Sequence, residues 1–176
     1  MDLVQQIADR QALDELLALY CRAVDRRDFA LLRRLYHPEA VHDHGGLFSG
    51  NREEFLAFLA RSMGNVVTHH FVGNALFSLD GDRAEGEVYT INYHVIGTEE
   101  RRDYVAGGRY LDHYVRHEGN WVFMARRRLI DWAHEGPTAD AGVAQSLSRG
   151  VSGPGDASFT ALPGISGLRQ IPETGG

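Results

Sequence analysis

The chain has 176 residues, a formal net charge of −6 and one cysteine. This length fits a single domain that buries roughly 70% of the surface its unfolded chain exposes. Acidic and basic residues are interspersed, and the densest basic run is the arginine triplet 126–128, which disfavours nucleic-acid binding. No segment approaches the roughly 20 apolar residues of a membrane span, so no membrane association is expected. Residues 1–6 lack the basic start and apolar core of a signal peptide, which predicts a cytoplasmic protein.

Three helices are predicted in the first part of the chain. Apolar residues recur at helical spacing over residues 6–25. A second helix is expected over residues 28–35, opened by an aspartate N-cap and ended before Pro38, because the residue that precedes a proline disfavours helix. Residues 40–44 predict a short strand, and residues 51–63 predict a third helix with an asparagine N-cap.

Four long strands are predicted after the third helix. They cover residues 66–79, 84–96, 104–116 and 121–132. Turn signals such as Asp80-Gly81-Asp82 join them mainly as hairpins. Helices followed by hairpin-connected strands form an α+β pattern. We therefore expect a cone-shaped α+β barrel, in which a curved antiparallel sheet and three N-terminal helices enclose a cavity.

The composition changes after Gly136-Pro137. Residues 137–176 are rich in Gly, Ser, Ala and Pro and poor in apolar residues. We expect residues 1–136 to form the domain and residues 137–176 to be a disordered tail. The alternative is an extended arm that lies on a neighbouring subunit or covers the cavity. The apolar residues that could anchor such an arm are Phe159, Leu162, Ile165 and Leu168.

Two residues far apart in the sequence are the strongest candidates for chemistry. Asp25 ends the first helix, and His70 lies on the first long strand. A carboxylate and a histidine that meet in a pocket form a general base and the group that orients it. Asp25 could instead cap the second helix or pair with Arg26 or Arg27, and His70 could be a hydrogen-bonded structural residue.

Strand alternation places further polar residues on shared faces of the sheet. A plain core would carry Val, Leu and Ile at such positions. The residues predicted to share a face, strand by strand, are His70, Val72 and Asn74; Asn92 and His94; Gly108, Tyr110 and Asp112; and Met124, Arg126 and Arg128. The alternation leaves open which of the two arginines faces the cavity.

The remaining candidates have simpler interpretations. Cys21 lies in a helix and is expected to be a small core residue. His42 and His44 share a face, but two ligands do not make a metal site, so no metal is expected. We find no phosphate loop, dinucleotide fingerprint or nucleophile elbow, and we expect no cofactor. Six histidines are interpreted as surface or turn residues: His37, His42, His44, His113, His117 and His134.

Several motifs point to one family. They are Tyr20-x4-Asp25-x2-Asp28-Phe29, Thr68-His69-His70-Phe71-Val72-Gly73, His70-x3-Asn74, Gly107-Gly108-Arg109-Tyr110 and Gly119-Asn120-Trp121-Val122-Phe123. Between about Ile7 and Trp132 the chain resembles the SnoaL-like branch of the nuclear-transport-factor-2-like superfamily. The similarity is to scytalone dehydratase, γ-hexachlorocyclohexane dehydrochlorinase and bile acid 7α-dehydratase.

In those enzymes an Asp–His dyad removes a proton from carbon and a leaving group departs. The resemblance implies that His70 is the general base and that Asp25 orients it. It also implies that His94 or Tyr20 protonates a departing hydroxyl or holds a carbonyl oxygen, and that Arg126 stabilises negative charge. These three residues have structural interpretations too, as a hydrogen-bonded histidine, a core tyrosine and a surface arginine.

The leading hypothesis is a cofactor-independent lyase of the dehydratase or dehydrohalogenase type, acting on a small, mainly apolar cyclic molecule. We expect the substrate to contact Phe55, Leu59, Val72, Asn74, Asn92, Tyr110 and Met124. The alternatives are a ketosteroid-isomerase-like isomerase or polyketide cyclase, in which nothing leaves, and a non-catalytic binding or assembly module. Relatives associate through the outer face of the sheet, so a homo-oligomer is expected, with a trimer favoured over a dimer.

Overall fold

Three helices precede the long strands, as the sequence predicts. In the computed structural model, which describes residues 2–139 and 148–167, they are α1 (Leu3–Asp25), α2 (Phe29–Arg34) and α3 (Arg52–Ser62). α1 begins earlier than predicted. The reason is a cap at its first turn, where the Asp2 side chain accepts a hydrogen bond from the Gln5 N–H at 2.9 Å.

Side chains also fix where α2 and α3 begin. The Asp28 carboxylate accepts a hydrogen bond from the N–H of Leu31 at 3.2 Å. Asn51 and Glu54 each accept the other's backbone N–H, at 3.0 and 2.9 Å, which is a capping box. Because Asp28 opens α2, only residues 26–27 separate it from the last residue of α1. The end of α1 is therefore held in one place.

Six strands form one curved sheet. They are β1 (Tyr36–Asp43), β2 (Ser49–Asn51), β3 (Val67–Asp80), β4 (Arg83–Ile96), β5 (Arg102–His117) and β6 (Asn120–Pro137). The order across the sheet is β2-β1-β6-β5-β4-β3, so the sheet is not closed. β1 runs parallel to β6, and the other neighbours are antiparallel. The predicted α+β fold is confirmed, and the edge strand β2 adds to what the sequence predicts.

β1 is longer than the predicted strand and runs through Pro38. Its pairing with β6 changes register between Tyr36 and Val41. The missing N–H of Pro38 therefore falls in an irregular part of the ladder, where proline is tolerated. Beyond this point the parallel pairing places His42 opposite Arg126. The tertiary pairing thus carries His42 to the inner face of the sheet.

A bulge in β3 changes the predicted alternation around Asn74. The pairing of β3 with β4 shifts between Val72 and Ala75. One extra residue in a strand turns the following side chains to the other face. Asn74 is exposed, whereas His70 and Val72 are partly buried. The prediction that Asn74 shares the face of His70 is therefore wrong.

A second bulge changes the face of Met124 in the same way. The pairing of β5 with β6 shifts between His113 and Tyr114, and Met124 is the unpaired residue. Phe123 is fully buried in the core, and Arg126 also lies inside. The prediction that Met124 shares a face with Arg126 is wrong, because strict alternation fails across a bulge.

The core lies between the helices and the inner face of the sheet. Fully buried side chains at its centre include Leu13, Leu32, Phe55, Val88, Tyr110 and Phe123. The outer face carries exposed apolar residues, including Phe71, Leu76, Tyr89, Ile91 and Trp132. Among the described residues, no helix combines the length and apolar character needed to cross a bilayer. The apolar burial that stabilises the fold is therefore concentrated on one side of the sheet.

Part of the predicted tail folds back on α1. Residues 148–167 contain the short helices α4 (Ser158–Ala161) and α5 (Pro163–Gly167). Arg22 donates to the Ser158 hydroxyl at 3.1 Å and lies over the Phe159 ring, and Arg26 pairs with Asp156 at 3.5 Å. Among the predicted anchors Phe159 is partly buried, Leu162 and Ile165 are exposed, and Leu168 lies outside the described residues.

Candidate active site

Asp25 and His70 meet on the inner side of the sheet. The Nδ1 of His70 lies 2.7 Å from the Oδ1 of Asp25. The other carboxylate oxygen, Oδ2, accepts the backbone N–H of His70 at 3.0 Å. The Thr68 hydroxyl donates to Oδ1 at 2.9 Å. The two contacts to His70 fix both the position of the imidazole ring and the nitrogen that carries its proton.

The turn after α1 holds this carboxylate in place. Arg27 has a φ of 55°, in the left-handed region that a non-glycine residue adopts at a cost. Its guanidinium donates to the carbonyl oxygen of Val24 at 2.6 Å, to the Thr68 hydroxyl at 3.0 Å and to the carbonyl oxygen of Val66. Arg27 therefore ties the end of α1 to the start of β3, the two elements that carry Asp25 and His70.

The surroundings of Asp25 favour its ionised form. Burial by itself would raise the pKa of this carboxyl. The hydrogen bonds from His70 and Thr68 outweigh burial and leave the pKa below its ordinary value. Asp25 is thus a carboxylate near neutral pH, and the Nδ1 of His70 must be the donor in their hydrogen bond. The Nε2 of His70 has no hydrogen-bond partner among the described residues, so no protein group there competes with a ligand for it.

His94 lies beside His70. The two rings meet edge to face with their centres 5.5 Å apart, and Tyr104 lies on the other side with its centre 5.9 Å from that of His94. Burial, followed by the charges of His70 and Arg128, lowers the pKa of His94 to about 4. His94 is therefore neutral near neutral pH and can act as a hydrogen-bonding group without adding charge.

Three buried polar atoms without hydrogen-bond partners belong to residues on the inner face, and others lie elsewhere in the described part of the chain. Among the described residues, the Nδ1 of His94, the Oδ1 of Asn92 and the Nη1 of Arg126 are buried and make no hydrogen bond. Folded proteins satisfy most such atoms, so a group of unsatisfied ones needs an explanation. A polar ligand that accepts or donates at these positions is one such explanation.

Arg126 lies deep in the core. It forms two hydrogen bonds to Asp112, at 2.8 and 2.7 Å, and both side chains are fully buried. Its guanidinium lies 4.2 Å from the ring centre of Tyr20, 4.0 Å from that of Tyr110 and 4.1 Å from that of Phe123. The positive charge is therefore compensated by Asp112 and covered by aromatic rings.

The predicted substrate contacts divide into three groups. Phe55, Leu59 and Tyr110 are buried in the core, and Val72 packs against it from a partly buried position. The amide nitrogen of Asn92 lies 3.5 Å from the Tyr110 hydroxyl, which places Asn92 at the edge of the core. Asn74 and Met124 are displaced by the bulges described above.

Tyr20 and Cys21 are buried side chains of α1. Burial raises the pKa of Tyr20, so it keeps its proton and can act only as a neutral donor or acceptor. Burial also raises the pKa of Cys21 to about 12, which confirms a core residue rather than a nucleophile.

A second polar chain, which sequence reasoning missed, lies at the end of β1. His42 is fully buried, so its interpretation as a surface or turn residue is wrong. Its Nδ1 lies 2.9 Å from the Tyr36 hydroxyl, and its Nε2 lies 2.8 Å from the Nδ1 of His44. Both ring nitrogens of His42 therefore have a hydrogen-bond partner. The i, i+2 spacing of the two histidines within a predicted strand was the available signal, because such residues share a face.

The sequence left open whether Arg126 or Arg128 faces the cavity. Arg128 is partly exposed and makes no hydrogen bond or ion pair within the described part of the chain. Its charge lowers the pKa of both His44 and His94. Arg126 is thus the compensated arginine of the core, and Arg128 is an uncompensated cation near the histidines.

Two comparisons identify sequence relatives. A family model described as the SnoaL-like domain matches residues 5–127. The uncharacterized protein Rv2910c of Mycobacterium tuberculosis is 30% identical over 126 residues, which cover 70% of this chain and 86% of that protein. An uncharacterized protein of Mycobacterium bovis, Mb2934c, matches with the same identity and coverage.

Solved structures share the fold at low sequence identity. The hexachlorocyclohexane dehydrochlorinase LinA-type3 of Novosphingobium barchaimii has a TM-score of 0.68 at 17% identity, over 80% of this chain and 97% of that chain. A scytalone-dehydratase-like protein of Novosphingobium aromaticivorans has a TM-score of 0.68 at 18% identity, over 86% of this chain and 97% of that chain. The match to the family model spans more than half of the sequence, and the chain belongs to the SnoaL-like domain family.

Proposed function

We propose that the protein is a cofactor-independent lyase, of the dehydratase or dehydrohalogenase type, that acts on a small, mainly apolar cyclic molecule. The observation that carries this proposal is the 2.7 Å contact between the Asp25 carboxylate and the Nδ1 of His70. It leaves the Nε2 lone pair of His70 available as a base. The fold that the chain shares with a dehydrochlorinase and a dehydratase-like protein supports the same class of reaction.

In the proposed reaction His70 takes a proton from a substrate carbon. Asp25 stabilises the imidazolium that forms, because the carboxylate accepts its Nδ1–H. A positioned base of this kind contributes about 10²–10⁴-fold to the rate. His94 or Tyr20, both neutral, donates a hydrogen bond to the leaving group or to a carbonyl oxygen. Arg126 contributes positive potential from the core, because Asp112 already binds two of its nitrogens.

Solvent deuterium tests the proton-abstraction step. The protein is incubated in D₂O with cyclohexanone, 3-hydroxycyclohexanone or a chlorinated cyclohexane in separate reactions. Mass spectrometry then measures the masses of the products. We expect loss of water or of HCl from the substrate that fits, and His70→Gln should abolish it. His69→Gln is the matched control, because His69 is the adjacent histidine and is exposed on the other face. Turnover retained by His70→Gln would remove His70 as the base.

The same experiment separates the alternative functions. An isomerase or cyclase incorporates deuterium or changes the retention time, and the mass of the substrate changes only by the deuterium that it gains. A binding module gives neither result, but it shifts the melting temperature when a ligand is added. Such a module would also keep its ligand affinity within a few-fold in Asp25→Asn.

We also propose that the chain forms a homo-oligomer through the outer face of the sheet, with a trimer favoured over a dimer. Exposed aromatic and aliphatic side chains on this face support the proposal, among them Phe71, Ile91 and Trp132. Light scattering coupled to size-exclusion chromatography measures the mass directly. Replacement of Phe71 and Ile91 by Lys should then shift the mass to that of a monomer, and an unchanged mass would exclude this face.

A further inference from the structure

We propose that His44 is a catalytic hydrogen-bond donor of this site, and that Tyr36 and His42 act as positioning residues that fix the donor form of its ring. The inference rests on the proposed function, since it names the group that faces the substrate oxygen. It adds a residue that neither the family motifs nor the Asp25–His70 pair supplies. The observation that carries it is an unbroken hydrogen-bonded chain from the core to the ring of His44.

The chain begins in the core and ends near the dyad. The Tyr36 hydroxyl lies 2.9 Å from the Nδ1 of His42, and the Nε2 of His42 lies 2.8 Å from the Nδ1 of His44. Phe55 stacks on His42 at 3.6 Å between ring centres, and the rings of His42 and His44 stack at 4.6 Å. These contacts leave the two imidazoles little freedom to rotate.

The direction of the hydrogen bonds follows from the buried hydroxyl. Tyr36 is buried, and His42 is the hydrogen-bond partner of its hydroxyl in the described part of the chain. A buried O–H without an acceptor is costly, so the hydroxyl donates to the Nδ1 of His42. His42 then carries its proton on Nε2 and donates to the Nδ1 of His44. His44 must therefore carry its own proton on Nε2.

The Nε2–H of His44 is the end of this chain. It has no hydrogen-bond partner among the described residues. Unlike the Nδ1 of His94, which is fully buried, it is accessible to solvent. The parallel register places His42 opposite Arg126 on the inner face, and Tyr110 lies opposite Arg128 on the other side of β6. His44 lies just beyond the last paired residue of β1; its ring contacts that of His42, and the charge of Arg128 acts on it.

Burial, and then the charges around His44, keep its ring neutral. Burial lowers the pKa of His44 to about 3, with further contributions from the charges of Arg128, Arg126, His70 and His94. His70 and His94 are thus near enough to His44 for their charges to act on its ring, and the rings of His70 and His94 are in contact. A neutral imidazole N–H can hold an oxygen that gains negative charge without first giving up a proton.

This arrangement favours substrates that carry a carbonyl next to the carbon that loses its proton. His70 accepts the proton at Nε2, and the C–H electron pair forms the carbon–carbon double bond of an enolate while the carbonyl electron pair moves to oxygen. His44 donates its Nε2–H to that oxygen and keeps the proton. When a β-hydroxyl then leaves, the enolate re-forms the ketone, and the imidazolium of His70 returns its proton to the leaving oxygen to give water.

The tautomer of His44 is tested without any substrate. Long-range proton–nitrogen NMR of the full chain labelled with ¹⁵N-histidine distinguishes a protonated ring nitrogen from an unprotonated one. We expect His44 to carry its proton on Nε2 near neutral pH, and Tyr36→Phe to produce a mixture of tautomers. Tyr114→Phe is the matched control, because it removes another buried hydroxyl, one that donates to Asp112. A proton on Nδ1 of His44 in the unaltered protein, or a cationic ring, would overturn the inference.

Turnover of 3-hydroxycyclohexanone tests the catalytic part. His44→Phe should lower kcat by on the order of 10²-fold, as expected for the loss of one preorganised donor. His44→Gln keeps a neutral N–H donor and should recover much of that loss, which a purely structural role would not predict. If His44→Phe turns over as fast as the unaltered protein while His70→Gln is inactive, His44 is not a catalytic donor. The proposed function would be unaffected by that result. No proton abstraction by the unaltered protein from any ketone or halide would remove the proposed function itself.

Discussion

Asp112 and Arg126 lie opposite each other on β5 and β6 and form a fully buried ion pair with two hydrogen bonds, at 2.8 and 2.7 Å. The Tyr114 hydroxyl donates to the same carboxylate at 2.7 Å. A charge so deep in the core is tolerated only because its partner is present. Arg126 is therefore held in place by a counter-ion that its position in the sequence does not indicate.

We expect Asp112→Asn to destabilise the protein by about 3–5 kcal/mol, because it leaves the guanidinium of Arg126 buried without a counter-charge. Urea unfolding followed by circular dichroism gives the free energy of unfolding. The double variant Asp112→Leu, Arg126→Met should cost less than the single variant, since it removes both charges. A single variant within about 1 kcal/mol of the unaltered protein would contradict this account.

Acid should destabilise the fold through its neutral histidines. Burial, the first cause for each, lowers the pKa of His44 to about 3 and that of His94 to about 4, from 6.5. Below pH 6.5 the unfolded chain binds protons that the folded chain does not, so stability is complete above this value and falls as the pH drops towards 4.

Urea unfolding at a series of pH values measures this effect. Each neutral histidine contributes a slope of up to about 1.4 kcal/mol per pH unit. His94→Gln should flatten the curve between pH 6.5 and 4. His134→Gln is the control, because that side chain is exposed in the folded protein. An identical curve for His94→Gln and the unaltered protein would show that His94 is not neutral in the fold.

The hydroxyl of Thr68 should help to keep Asp25 ionised. Burial raises the pKa of Asp25, and the hydrogen bonds from His70 and Thr68 lower it further than burial raises it. Thr68→Val removes one of these bonds, so the pKa of Asp25 should rise. The ionised form of Asp25 stabilises the fold, and on acidification this stabilisation should be lost at a higher pH than in the unaltered protein. Carbon NMR of labelled aspartate measures the titration, and Ser78→Ala on the exposed face of β3 is the control. An unchanged titration would remove Thr68 from the support of the dyad.

The glycine pair of β5 lies where neither residue has room for a Cβ. A Cβ at Gly108 would overlap the backbone carbonyl of Leu129, and a Cβ at Gly107 would overlap the ring of Trp132. Backbone cannot move aside, whereas an exposed ring can. Gly108→Ala should therefore cost about 2–3 kcal/mol and Gly107→Ala about 1 kcal/mol.

Thermal and urea unfolding of the two glycine variants test this order. Gly46→Ala is the control, because a Cβ there meets no atom within 4 Å. It should change stability by no more than about 0.5 kcal/mol. A larger cost for Gly107→Ala than for Gly108→Ala would show that the ring of Trp132, and not the backbone of β6, limits the space.

Asp156 should hold the C-terminal segment against α1. Its carboxylate accepts the N–H groups of Val151 and Ser158, at 2.9 and 3.0 Å, and it pairs with Arg26 at 3.5 Å. Asp156→Ala should speed amide hydrogen exchange over residues 151–161 without changing exchange in the sheet. Asp131→Ala, which breaks an exposed pair with Arg109, is the control. Unchanged exchange over residues 151–161 would mean that other contacts hold this segment.

Local features of the fold could be predicted from the sequence because they depend on neighbouring residues. Asp28 and Asn51 cap their helices through N–H groups three residues away. The turn after Asp80 joins two strands that are adjacent in the chain. Asp25 and His70, 45 residues apart, could be paired only through the resemblance to a family, since spacing alone does not bring a helix end to a strand.

Other features were decided by the tertiary structure. The bulges in β3 and β6 turn Asn74 and Met124 off the predicted face, because alternation is lost when two strands do not keep register. His42 is buried because β1 pairs with β6, a strand about 80 residues further along the chain, and this parallel pairing has no local signal.

The sequence by itself thus determined the order of helices and strands, because capping, periodicity and turn chemistry act over a few residues. It named Asp25 and His70 as candidates through their residue types and the family resemblance. Only the tertiary structure decided the charge environment of the site. The burial of Arg126 with Asp112 and the chain from Tyr36 to His44 depend on which strands become neighbours. Electrostatic energies depend on distance and burial in space, and neither follows from separation along the chain.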